Sequence, residues 1–211
     1  VQYMSNFVKF DLACKEFTYT VESPLIGKFN IYNAALVLIV GLIKNIAEDV
    51  LLDRIKHFKP IDGRMEKLNF GQDYTIILDY AHTYNGIKSV LDCFNNVHRV
   101  ILVTGAAGGR EKEKRSKIGA LILSRADYVI FTMDDPRYEK VEDIVSQMIG
   151  ENKSTNYETI VDRKSAIYRS FDMAKSGDVV LILGKGRDNY MAIEDKKLPY
   201  CDYDVIKSYF E

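Results

Sequence analysis

Tryptophan is absent, proline occurs four times and histidine three times, and the 29 basic residues are matched by 30 acidic ones. The resulting net charge of -1 creates no global field that would draw the chain to nucleic acid or to an anionic membrane surface. Cys14, Cys93 and Cys201 are odd in number and lack a CxxC spacing, which gives no zinc signature and fits a reducing, cytoplasmic compartment. Long apolar runs are missing too. The longest, Ile31 to Ile43, contains Asn33 and falls well short of the roughly 20 residues that span a bilayer, so it predicts a buried helix. The first ten residues, VQYMSNFVKF, carry neither a basic leader nor a small-residue cleavage site and predict no signal peptide, while a start at valine suggests a fragment. No phosphate fingerprint occurs around the glycines at 105 to 109. GxGxxG would need glycine where Ala107 and Arg110 stand, and a Walker A loop would need Gly-Lys where Arg110 and Glu111 stand. The triphosphate cradle of a P-loop enzyme is therefore excluded from this chain.

What is present suits a globular protein. In 211 residues, 47% of them hydrophobic, there is enough chain to bury one full core plus a smaller appendage. CKEFTYTVES alternates polar and apolar and predicts an edge strand stopped by Pro24. Residues 27–45 follow as a helix apolar on nearly every side, then 47–58 as an amphipathic one. After Pro60 and Gly63, strand-like segments recur at about 65–69, 74–78, 99–103, 128–132, 157–161 and 179–183. Helical patterns fall near 86–94, 114–124, 141–149, 163–174 and 203–210. VILVT, YVIFT and VVLIL are apolar throughout, as strands covered on both faces must be. Alternating strands and helices predict a doubly wound, Rossmann-like α/β domain from about residue 62.

In that architecture the loops after the carboxyl ends of the strands form the ligand crevice. Four loops qualify: DYAHT (79–83), TGAAGGRE (104–111), MDDPRYE (133–139) and GKGRDNY (184–190). Each has a plain alternative. Gly105, Gly108 and Gly109 can make a tight turn or an anion cradle, and the charges from Arg110 to Arg115 can be a solvated first helical turn. His82 can be a core or turn histidine, whereas Asp79, at the end of an apolar strand, is placed to bind a ribose diol. Asp134 and Asp135 before Pro136 are ordinary turn formers. Arg137, just past that turn, has the fork that holds a carboxylate by two parallel bonds.

The succession GKFNIYNAALV, DGRMEKL, ILDYAHT, GAAGGREKEKR, DDPRYE and GKGRDNY, in that order, resembles the carboxyl half of the Mur ligases, in particular those that add the third residue of the peptidoglycan stem peptide. The resemblance implies that residues 1–60 are the helical end of a central ATP-binding domain and 61–211 a Rossmann-like carboxyl-terminal domain. It implies an ATP- and Mg2+-dependent cytoplasmic ligase whose P-loop, magnesium ligands and carbamylated lysine lie upstream, so that the fragment alone is inactive and holds no metal. On the nucleotide side it implies Asn30 and Asn33 at the adenine, Arg64 at the nucleotide site as a catalytic cation, and Asp79 at the ribose with His82 beside it. For the amino acid it implies Arg110, Asp135, Arg137, Gly184 and Asp188. The other substrate would be UDP-N-acetylmuramoyl-L-alanyl-D-glutamate. Three positions depart from the family pattern: Asp135 stands for the usual asparagine, Asp188 for glutamate, and Arg187 where histidine is common. Retention of Arg137 favours diaminopimelate over lysine as the added residue. Two alternatives stay open, another ligase of the superfamily such as a folylpolyglutamate synthetase, and a non-catalytic nucleotide-binding or interaction domain.

Overall fold

The computed structural model describes residues 1–3, 7–14, 16–110 and 112–211. Lys15 and Glu111, both within stretches quoted above, lie outside the described residues. Two compact units divide the chain, Val1–Ile61 and Asp62–Glu211.

In the first unit β1 (Gln2–Tyr3), β2 (Val8–Cys14) and β3 (Phe17–Ser23) form an antiparallel sheet in that order. The β2–β3 register runs from Val8 opposite Ser23 to Cys14 opposite Phe17, so the expected edge strand is there, shortened by three residues at its start. The other two strands of this sheet escaped the sequence reading, although VKFDLAC alternates as strictly as β3 does. Val8, Phe10, Tyr19 and Val21 point to one face, where α1 (Lys28–Ile43) and α2 (Glu48–Lys56) cover them with Ala34, Leu38, Leu51 and Ile55. The expectation of a buried helix at 31–43 is corrected. Only Asn30, Ala34, Leu38 and Gly41 of α1 are buried. Tyr32, Leu36, Val37, Ile39, Val40 and Ile43 are exposed, Leu36 at 61% and Ile43 at 71%. The reason is geometric. A single thin sheet covers about one side of a helix, and α1 is apolar on more sides than that. Among the described residues no helix is long and apolar enough to cross a membrane.

The second unit holds a six-stranded sheet built from β4 (Glu66–Leu68), β5 (Thr75–Asp79), β6 (Val100–Thr104), β7 (Tyr128–Phe131), β8 (Tyr157–Thr159) and β9 (Val179–Leu183). The spatial order is β4-β5-β9-β6-β7-β8; β4 pairs antiparallel at one edge and all other neighbours are parallel. After β5 the chain steps outward through β6, β7 and β8, then returns to insert β9 between β5 and β6. The crossovers are α3 (Tyr84–Asp92), α4 (Lys112–Arg125), α5 (Val141–Ile149) and α6 (Arg163–Met173), and the unit ends with α7 (Asp202–Phe210). Ile76, Leu78, Ile101, Val103, Ile130, Val180 and Ile182 join α6 and α7 residues such as Ala166, Ile167, Phe171 and Ile206 in one cluster. Their alternates Ile77, Leu102, Val129 and Leu181 are just as buried on the opposite face. Each such side chain contributes roughly 1.5–3 kcal/mol of transfer free energy, which is why continuous apolar strands form here. The doubly wound α/β expectation thus matches the fold. A hairpin of β10 (Tyr190–Ile193) and β11 (Lys196–Pro199) was not legible. All four residues of β11 are exposed, and its turn, Glu194-Asp195, lacks the Asn-Gly type signal, although Glu194 adopts a φ of 52°.

Candidate functional site: a four-loop rim at the strand ends

The loops 79–83, 184–190, 104–110 and 133–139 leave the carboxyl ends of β5, β9, β6 and β7, which are consecutive neighbours in the sheet. Contacts join all four. The Gly184 N–H donates to Asp79 O at 3.1 Å, and the Gly108 N–H to Asp135 O at 3.0 Å. Lys185 Nζ donates to Asp135 Oδ1 at 2.9 Å and lies 3.4 Å from Asp188 Oδ2. The Arg137 N–H donates to Ala192 O at 3.1 Å, tying the third loop to the hairpin.

The glycines here serve backbone contact. A Cβ on Gly108 would stand 1.9 Å from Pro136 O, and one on Gly184, whose φ is 113°, would stand 2.2 Å from Asp134 Oδ2. No side chain fits either place, nor at Gly105, where a Cβ would stand 2.1 Å from Thr132 O, so the loops press against each other there, whereas Gly109 is left room. Of the charged run that follows, Lys112 to Lys114 are exposed, but Arg115 is only 2% exposed. It donates to Glu139 Oε2 at 2.7 Å, to Gln147 Oε1 at 2.7 Å and to Ala107 O at 2.8 Å. Glu139 also accepts the Gly109 N–H at 2.6 Å. Hydrogen bonding from Arg115 first, then from Gly109, holds the Glu139 carboxyl down to about 2. Beneath the rim Arg163 pairs with Asp202 through two bonds of 2.8 and 2.7 Å, donates to Leu183 O at 2.9 Å, and is fully buried.

Asp79 is buried. Its Oδ2 accepts from Met65 N–H at 2.6 Å and its Oδ1 from Ala81 N–H at 2.7 Å. Burial pushes its carboxyl up, more than the two N–H donors and the nearby Arg64 pull it down. Each oxygen keeps a further lone pair for a diol. Arg64 is exposed and its guanidinium stands 4.8 Å from the centre of the Tyr80 ring. His82 is also exposed, Nδ1 lying 2.9 Å from Tyr80 O. Asp135 Oδ1 takes both the Lys185 ammonium and the Ala192 N–H at 2.9 Å. Burial would lower the Lys185 pKa, but Asp135, Asp134 and Asp188 leave it raised, so the ammonium stays charged. Asp134, deeper, is pushed up by burial despite Arg163 and Lys185.

Arg137 is half-buried, and among the described residues its Nε, like that of Arg115, is buried without a hydrogen-bond partner; Arg115 has Glu139 for its other nitrogens, whereas Arg137 has no carboxylate partner there. Asp135 and Arg137 both adopt left-handed backbone, φ 45° and 52°, and so does Met65 at 46°. Such strain in non-glycine residues concentrates where a loop is held for a purpose. Arg110 is exposed at the tip of its loop. In the other unit Asn30 Nδ2 donates to Ile26 O at 2.8 Å and Asn33 Nδ2 to Asn30 Oδ1 at 3.0 Å. The two amides thus share a face, Asn30 buried and Asn33 exposed; Asn30 is not the helix cap, a place taken by Gly27.

Arg115, Glu139, Arg163 and Lys185 were missed as organisers of the site. Only Arg115 left a signal: it lies three or four residues before Ile118 and Gly119 and seven before Ile122, on the buried face of α4.

A mostly parallel sheet whose carboxyl-end loops carry exposed guanidinium groups, above carboxylates already committed to backbone, is a frame suited to anionic ligands. Residues 63–186 match the family model described as Mur ligase, glutamate ligase domain. The chain belongs to that family. Among curated relatives, the UDP-N-acetylmuramoyl-L-alanyl-D-glutamate--2,6-diaminopimelate ligase of Solibacter usitatus is 33% identical over 210 residues, which cover 96% of this chain and 42% of the relative. A solved structure of a UDP-N-acetylmuramoyl-L-alanyl-D-glutamate--2,6-diaminopimelate ligase superposes with a TM-score of 0.71 at 30% identity, covering 99% of this chain and 43% of that one. The MurF ligase of Thermotoga maritima in complex with ADP shares the fold, with a TM-score of 0.68 at 17% identity over 99% of this chain and 44% of its own. The chain spans less than half the length of the curated relatives it matches.

Proposed function

We propose that this chain is the carboxyl-terminal part of a cytoplasmic ATP-dependent ligase that joins a diamino acid, diaminopimelate in preference to lysine, to UDP-N-acetylmuramoyl-L-alanyl-D-glutamate in peptidoglycan synthesis. Residues up to about 60 are the end of the central ATP-binding domain and the rest is the domain that closes over the site. The apolar face that α1 leaves exposed supports this division, being suited to burial against more of that central domain.

The carrying observation is Arg137. Among the described residues its Nε is buried and unpartnered and, unlike Arg115, whose Nε is equally orphaned but which grips Glu139, it has no carboxylate partner; it is held in left-handed backbone and stands two residues from an aspartate already neutralised by Lys185. An orphaned guanidinium donor of this kind fits a carboxylate, and the distal carboxylate of diaminopimelate would satisfy it where the lysine side chain would not. Arg110, exposed at the tip of its loop, adds a second cation for the amino acid; Gly184 and Asp188 complete that subsite, Asp188 accepting from the amine. Arg64 steers and holds the nucleotide phosphates, Asp79 the ribose through its spare lone pairs, and Asn30 and Asn33 the adenine edge, with His82 beside the ribose.

ATP supplies the phosphoryl group that activates the dipeptide carboxylate before the amine displaces it as phosphate. The contribution of the residues named here is to bind and orient, lowering the entropic cost of bringing three reactants together. Among the described residues no cluster of His, Cys, Asp and Glu is fit to hold Mg2+, and none of these roles runs through it. The test is phosphate release by the full-length enzyme, measured with diaminopimelate and with lysine. Diaminopimelate should be preferred by kcat/KM, and the isolated 211-residue chain should be inactive; turnover by that chain, or preference for lysine, overturns the respective part of the reading.

A further inference from the structure

Arg187 makes a contact that the roles above leave unused. Its Nε donates to Glu66 Oε2 at 2.9 Å and its Nη2 to Glu66 Oε1, a two-pronged grip between residues 121 positions apart. The guanidinium carbon lies 3.5 Å from the centre of the Tyr203 ring on α7. Glu66 in turn accepts the Gly63 N–H at 2.7 Å, and Gly63 O accepts the Tyr80 N–H at 3.0 Å. Arg64 extends from this turn over Tyr80. On the other side Arg187 is flanked in sequence by the loop residues Lys185 and Asp188, which are joined to each other and to Asp135. One side chain therefore connects the turn carrying the nucleotide-side arginine to the loop carrying the amino-acid-side aspartate.

The fork is what makes the grip rigid. Two parallel bonds to one carboxylate plus a ring beneath the guanidinium fix the rotation of the turn as well as its distance, whereas the rotatable donors of a lysine or the diverging N–H groups of a histidine do not match the carboxylate in parallel and leave rotation free. Burial would push the Glu66 carboxyl up, yet the bonds from Arg187 and Gly63 hold it below its ordinary value, so the pair remains ionised.

We propose that Arg187 is a positioning residue, which locks the Asp62–Met65 turn to the Gly184–Asp188 loop and so keeps the nucleotide and amino-acid subsites in register. This rests on the subsite reading given above. The test uses the full-length ligase and the variants Arg187→Lys, Arg187→His and Glu66→Gln, with kcat and both KM values measured across pH 6 to 9. Arg187→Lys and Glu66→Gln raise the KM for ATP and for the amino acid together, by about 10- to 100-fold, the scale of a small misplacement, with kcat changing much less. Arg187→His faces Glu66, Asp62 and Tyr203. Its imidazolium pairs with Glu66 at low pH and is lost as pH rises through its pKa, ordinarily about 6.5 and raised by the two carboxylates. Its KM values should therefore climb between pH 6 and 9 while those of the parent enzyme keep their own profile.

A residue with a merely structural role would give a lower melting temperature and lower kcat with both KM values and the pH profile unchanged, and that outcome overturns the proposal. If Arg187→Lys does not fold, Glu66→Gln decides alone, because its amide oxygen can still accept the Gly63 N–H. A parent enzyme that releases no amino-acid-dependent phosphate sinks the functional reading itself, whereas an active parent with unaltered variants sinks only the lock.

Discussion

Two regions of the second unit use the same residue types to opposite ends. Below the rim, Arg163 and Arg115 are buried and grip Asp202 and Glu139. On the rim, Arg64 and Arg110 are exposed and Arg137, whose buried Nε is unsatisfied as that of Arg115 is, has no carboxylate partner among the described residues. A neutralised buried cation shapes the loops, while a cation left short of partners is available to a ligand. Burial alone does not separate the two groups; the presence of a carboxylate partner does.

Variants can break this contrast. Asp202→Ala leaves Arg163 charged and buried without its carboxylate, and should cost about 3–5 kcal/mol in a denaturant unfolding experiment on the 211-residue chain; a loss under about 1 kcal/mol would show the lower region to be less committed than its geometry. Arg137→Ala in the full-length enzyme should lower kcat/KM for the amino acid about 100-fold, or ~2.7 kcal/mol, while leaving the unfolding midpoint of the chain nearly unmoved. An unchanged rate would remove Arg137 from the site.

Glu139→Gln tests the boundary between the regions. Since the Glu139 carboxyl is held at about 2, below its ordinary 4.5, its bonds contribute stability fully above about pH 4.5 and lose it as pH falls toward 2. The variant should be less stable at pH 7 by about 1–3 kcal/mol and show a flatter acid limb in melts from pH 6 to pH 2.5. Parallel acid limbs would refute the pairing. Smallest of all, Arg110→Ala should shift stability by less than about 0.5 kcal/mol, as expected for an exposed side chain. A larger loss would move Arg110 into the structural group.

Much of this was legible in sequence. β9 and α5 coincide with the expected spans, and the other five strands of the six-stranded sheet fall within two residues of theirs at each end. Period-two apolar runs and amphipathic helices are local signals, and the rule that ligands gather at strand ends then pointed to the four loops. Two kinds of feature escaped. β1 and β11 are too short or too polar to advertise themselves, forming only because a partner strand offers its edge. The role of a given charge escaped as well: Arg110 and Arg115 sit in one run of letters, yet one is exposed and the other is 2% exposed with three close acceptors.

By itself, then, the order of residues determined the α/β class, the order of the main strands and helices of the second unit and which loops lie at the strand ends, because hydrophobic period and turn composition act over a few residues. Only the tertiary structure decided which cations are consumed in pairing, that α1 keeps an apolar face uncovered, and that Arg187 meets Glu66. Those outcomes depend on which distant segments converge and exclude water, and no local pattern encodes that.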